Sequence, residues 1–264
     1  MRMQSSNPAF TRGGFQTGRG PAPSVDQLQR MYDAPTYQAP ATARMTYDDV
    51  VARTATTIGT AILAAAVAWQ FAPALGPMLL IFPLVALGLG LYISFKHVTN
   101  PVPILAYAAL QGVTIGVISF YADAMVRAWT GNGVVIPAVV GTLGAAGASL
   151  AVYAFRVIRV TPKFTRFVVA AMVGYLALVV LDLVLGLFGM SFGWNGSGSM
   201  GMIASLVGVL LGCLMLMLDF DYIERGVAEG APREDAWFAA FGLTVTLVWL
   251  YIQMLQLLTI FSQE

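Results

Sequence analysis

From residue 50 to the end of the chain, seven apolar runs follow one another with only short polar breaks, and no water-facing fold accommodates that pattern. A helix needs about 20 residues to cross a hydrocarbon core of roughly 30 Å, and each run approaches or exceeds that length. The runs are Val50 to Ala72, Pro77 to Phe95, Pro103 to Tyr121, Val134 to Arg156, Phe167 to Phe188, Met200 to Leu218, and Trp237 to Phe261. Backbone in lipid must satisfy its own hydrogen bonds, and the strict alternation of a barrel strand is absent, so these runs predict helices. The fold expected for residues 46–264 is an all-α, seven-transmembrane-helix bundle. Composition agrees: 10% of the residues are charged, against roughly 25% in an ordinary soluble domain.

Residues 1–45 differ in kind. They are rich in Gly, Pro, Ser, Gln and Arg, as in Arg12-Gly13-Gly14-Phe15, and read as a disordered arm. The arm has no apolar stretch for a cleavable signal peptide, so the first hydrophobic helix is expected to direct insertion. Basic residues set the orientation. Arg2, Arg12, Arg19, Arg30, Arg44 and Arg53, Lys96 after the second run, Arg156, Arg159, Lys163 and Arg166 after the fourth, and Arg225 and Arg233 after the sixth all fall on one side, and Arg127 alone falls on the other. The positive-inside rule then puts the N-terminus in the cytoplasm of a plasma-membrane protein and the C-terminus outside. A net charge of +1 offers nothing to nucleic acid.

An intramembrane acid costs about 2.5–3.5 kcal/mol on insertion scales, so the acids inside apolar runs mark candidate sites. Asp182 sits among Val179, Val180, Leu181, Leu183 and Val184, as a proton or cation site or as a neutral acid bonded to a neighbouring helix. The sixth run ends in Asp219-Phe220-Asp221-Tyr222-Ile223-Glu224-Arg225. Residues two apart on a helix diverge. Asp221, four before Arg225, reads as a surface pair, and Asp219, bordering the apolar run, as the acid that faces inward. On the last run Gly242, Thr246, Trp249, Gln253 and Gln256 recur every three or four residues and form one stripe, either the lining of an ion path or a row of interhelical hydrogen bonds. Gln111 and Thr114 read the same way. The glycine pairs and series Gly112/Gly116 and Gly141/Gly144/Gly147 suit close helix packing. Cys213 reads as a small buried hydrophobe, and His97, the single histidine, is too little for zinc. There is no phosphate-binding glycine loop and no lysine in the last run for a Schiff base, so no cofactor is expected and the chain is not read as an enzyme.

Three segments, Tyr107 to Ser119, Asp219 to Glu224, and Gly242 to Tyr251, together with Tyr47-Asp48-Asp49-Val50 before the first run, resemble the Bax-inhibitor/YccA-like family in the form found in actinobacteria. The resemblance covers about residues 45–261. It implies a central last helix wrapped by the other six and, in calcium-leak members, a proton-sensitive pair of carboxylates from the sixth and seventh helices. Asp219 matches the first carboxylate; Thr246 stands at the second. Asp182, roughly 22 Å along its run from the cytoplasmic start at 1.5 Å per residue, is too far from Asp219 to replace it. Calcium prefers about six to eight oxygens, more than Asp219 and Thr246 supply.

Three readings follow. The first is a pH-sensitive calcium or cation leak channel with Asp219 as gate and possible calcium ligand, and Thr246, Gln253 and Gln256 as lining. The second is a non-conducting regulator that binds another membrane protein, such as a quality-control protease. The third, a proton-coupled transporter centred on Asp182, lacks a visible inverted repeat.

Overall fold

The computed structural model describes residues 43–264 apart from Asn195, Ser197 and Glu264. Of the arm read as disordered over residues 1–45, residues 1–42 fall outside the described residues, whereas residues 43–45 are ordered against the α6–α7 loop. Seven helices carry the described fold: α1 (Tyr47–Gln70), α2 (Ile81–Lys96), α3 (Pro101–Thr130), α4 (Val135–Ala154), α5 (Pro162–Leu187), α6 (Ser199–Glu229) and α7 (Asp235–Phe261).

Their starts are written locally. Thr46 Oγ1 accepts from the Asp49 amide at 3.2 Å, Asn100 Oδ1 from Val102 at 2.9 Å, and Thr161 Oγ1 from Phe164 at 3.2 Å. Each cap satisfies an amide that the first turn leaves without an intrahelical partner. Pro101 and Pro162 occupy the first turn, where a missing N–H is harmless. α3 and α6 run well past the ends of their apolar runs. The added turns carry ion pairs four residues apart, Asp123–Arg127 at 2.5 Å and Asp221–Arg225 at 2.8 Å, and each helix stops at a glycine in the left-handed region, Gly131 and Gly230. Asp219 accordingly lies inside α6, and not at a helix terminus where it would oppose the dipole.

The second crossing departs from the straight helix predicted. Among the described residues six helices are long and apolar enough to span a membrane; the seventh candidate is a bent pair, Ala72–Met78 followed by Ile81–Lys96, with a 64° angle between them. Pro73, Gly76 and Pro77 explain the break, because two prolines remove donors and a glycine lowers helix propensity within one short stretch.

α7 is the centre. In its apolar window 56% of residues are buried, against 17% in α1, α4 and α5. It packs against α6, α1, α4 and α3, and Phe241 joins Ala86 and Ile93 of α2 in an apolar cluster. Tyr175 brings α5 to it as well, with its ring 5.3 Å from that of Trp249. Peripheral helices turn Ile62, Leu63, Leu84, Leu143 and Val180 outward, as lipid-facing helices must. The stripe of Gly112 and Gly116 is the α1–α3 contact: a Cβ at Gly112 would strike the Ala61 carbonyl, and one at Gly116 the Ala65 carbonyl. Gly141 lies against Met254, but Gly144 and Gly147 meet no neighbour, so the α4 series is only in part a packing face.

Candidate functional site

Two polar layers lie on the seam between α6 and α7. The first is at the end of the bundle where Asp49, Arg53, Arg156, Glu224 and Arg233 gather. There Thr246 Oγ1 donates to Asp219 Oδ2 at 2.6 Å and also approaches the Gly242 carbonyl, at 3.2 Å. Thr246 is buried and Asp219 partly buried. Gly242 faces the carboxylate, and a Cβ there would stand in ordinary contact with Oδ1 at 3.6 Å. Oδ1 itself has no hydrogen-bond partner among the described residues. Asp221, two positions on, turns away to Arg225.

The second layer lies one to two turns along α7. Trp249 Nε1 donates to the Gly208 carbonyl at 3.1 Å, and Gln253 Nε2 donates to the Tyr175 hydroxyl at 2.7 Å, which in turn donates to the Ala204 carbonyl at 3.1 Å. Gly208 makes this possible, because a Cβ there would collide with the Gln253 amide. Gln253 is 4% exposed, yet its Oε1 has no hydrogen-bond partner among the described residues. An unmatched buried acceptor costs roughly 1–3 kcal/mol unless water or a cation meets it. Gln256 is partly buried further along the same helix. The α7 stripe thus faces α6 and α5, and four of its five members are tied into this seam.

Asp182 belongs to neither layer. It lies near the far end of α5, where its Oδ1 accepts from Ser191 Oγ at 2.9 Å, the Phe192 amide at 2.9 Å and the Gly193 amide at 3.2 Å. The carboxylate anchors the loop that leads to α6; its partners come from that loop, about ten residues on, where the flanking Leu and Val gave no sign of them. Gln111 and Thr114 bond within their own helix, to Tyr107 and the Leu110 carbonyl, and among the described residues do not bridge helices. Cys213 packs against the main apolar cluster. His97 ends α2 in the left-handed region, stacks 4.1 Å from the Phe238 ring and lies 3.6 Å from Asp235. Among the described residues no three of His, Cys, Asp and Glu converge on a metal position.

The sequence reading missed the strap before α1. The Met45 amide donates to the Ala231 carbonyl and the Arg233 amide to the Ala43 carbonyl, both at 2.8 Å, so residues 43–45 pair with the α6–α7 loop. Met45 is 2% exposed, Asp49 pairs with Arg233 at 2.7 Å, and Arg53 donates to the Arg233 and Glu234 carbonyls. Two hydroxyl contacts were also missed, Thr57–Thr244 at 2.8 Å and Ser119–Tyr251 at 2.7 Å. Polar residues at helical spacing hint at both, but nothing in one sequence pairs them across helices.

No curated protein matches the chain. A family model described as Bax inhibitor 1 like matches residues 7–263. With apolar helices able to cross the membrane six or seven times, packed around a central last helix, the protein is a multi-pass membrane protein and belongs to the Bax inhibitor 1 like family.

Proposed function

We propose that the protein is a pH-sensitive leak path for calcium or another cation across the plasma membrane, that it performs no enzymatic step, and that its N-terminus is cytoplasmic. The observation that supports this reading is the Thr246–Asp219 hydrogen bond at 2.6 Å, which ties an ionisable side chain of α6 to α7. The path follows that seam from Asp219 past Trp249 to Gln253, whose free Oε1 offers an oxygen to a hydrated cation. The seam is packed shut here, with Leu250 fully buried and Trp249 bonded across it, so conduction requires α6 and α7 to part. Asp219 is where protonation acts on that step: the ionised carboxylate accepts the threonine hydroxyl and attracts a cation, and the neutral acid loses the charge. Support for the orientation is the basic asymmetry of the breaks, with Arg53, Arg156 and Arg233 at one end and Arg127 at the other.

The test is calcium flux into proteoliposomes at about pH 6 and about pH 8, since a pH profile reports the ionising group. Flux that differs between the two and loses the difference in Asp219→Asn is expected. No flux above empty liposomes would overturn the leak reading and favour a regulator that binds a membrane-protein partner.

A further inference from the structure

A groove of about 480 Å³ opens on the flank of the bundle between α1, α3, α4 and α7. Ile58, Ile62, Ala66, Leu143 and Val248 line it, and Ile62 and Leu143 are 62% and 66% exposed. Its hydroxyls are already bonded: Ser119 to Tyr251, Thr142 to the Ala138 carbonyl and Thr244 to the Ala240 carbonyl, each at 2.7 Å. These bonded hydroxyls leave the groove's walls predominantly apolar, with the Gln70 amide at one end. Along α1 the lining runs from Ile58 to Gln70, twelve residues or roughly 18 Å at 1.5 Å each, close to the about 15 Å depth of one leaflet's hydrocarbon.

The groove ends at a polar mouth. A second hollow of about 350 Å³ shares Trp69 and Val135 with it and adds Asp123 and Arg127. Arg127 uses Nε on Asp123 Oδ2 at 2.5 Å, and Asp123 Oδ1 accepts from the Val134 amide at 2.9 Å. The carboxylate is thus held from two sides and itself holds the guanidinium of Arg127, a side chain that is 60% exposed. The terminal nitrogens of Arg127 make no hydrogen bond among the described residues, and a guanidinium edge of that kind grips phosphate with two parallel bonds.

We propose that this is a binding site for one glycerophospholipid of the leaflet at that end, with an acyl chain in the groove and the phosphate on Arg127. Length, apolar walls, lateral opening and a tethered cation at headgroup depth coincide here. The proposal is independent of ion conduction.

Native mass spectrometry of the full chain, delipidated in detergent and then given dioleoyl phosphatidylglycerol, tests it. One lipid per chain is expected to survive activation that strips the others. Ala66→Phe, which fills the groove from an exposed position, lowers its retention at least about tenfold, the equivalent of roughly two lost methylene burials. Arg127→Gln brings phosphatidylglycerol down to the retention of dioleoylglycerol, which lacks the phosphate. Leu178→Phe, on the lipid-facing side of α5, changes nothing. Leu143→Trp serves as the second groove-filling variant if Ala66→Phe does not fold. Wild-type retention in a folded groove-filling variant, equal loss in Leu178→Phe, or a lipid-free dimer that Ala66→Phe dissociates would each overturn the proposal, the last by giving the groove to a helix of a second copy.

Discussion

Thr246, which the resemblance to calcium-leak members sets at the position of a second carboxylate, meets Asp219 as a donor would, at 2.6 Å. A hydroxyl cannot share a proton the way two acids do, so the ionisation belongs to one residue here. Thr246→Val removes the donor and leaves the carboxylate facing a methyl group, an unmatched polar group that costs roughly 1–3 kcal/mol; lower thermal stability in detergent and a raised leak are expected. Thr246→Asp restores two facing acids, and the pH dependence of flux should steepen or acquire a second step. A flux profile unchanged in both variants would remove the seam from gating. Asp219 and its direction were legible because an acid ending an apolar run must find a polar neighbour. The loop partners of Asp182 were not, because they lie beyond the end of its helix.

At the scale of elements, the pairing of α1 with α3 rests on absent side chains. Gly112 meets the Ala61 carbonyl and Gly116 the Ala65 backbone, so the two helices touch through main chain. Gly112→Leu should therefore destabilise the protein by about 1–3 kcal/mol or more, the usual cost of overpacking, visible as a lower unfolding temperature in detergent. Gly144→Leu should shift it little, since that glycine meets open space. The two positions look alike in sequence; only the neighbouring helix distinguishes them. Helix existence was readable from hydropathy throughout, whereas the true ends of α3 and α6 were not, since helix there continues through charged turns closed by Gly131 and Gly230.

For the whole molecule, crossing number and orientation are one question. Asp49 and Arg53 contact Arg233, and His97 lies against Asp235, so the start of α1, the end of α2 and the α6–α7 corner lie together at one end of the bundle. That arrangement requires the bent pair to return the chain across the bundle. In a Cys213→Ala background, Ser24→Cys should resist a membrane-impermeant thiol reagent in intact cells and Ser262→Cys should react. Equal reactivity would mean an even number of crossings and a second segment that enters and leaves by the same face.

The bend has a consequence for the surrounding lipid. As a straight cylinder α2 is 16 residues long, about 24 Å, some 6 Å short of a typical hydrocarbon core, and its broken approach makes up the remainder at an angle. To the extent that the angled approach leaves that flank short, a bilayer meeting it thins or tilts its chains, at a fraction of a kcal/mol per Å of mismatch. The protein therefore carries a built-in preference for thinner membrane on one side, and acyl-chain length becomes a variable that acts on its second crossing before any ligand does.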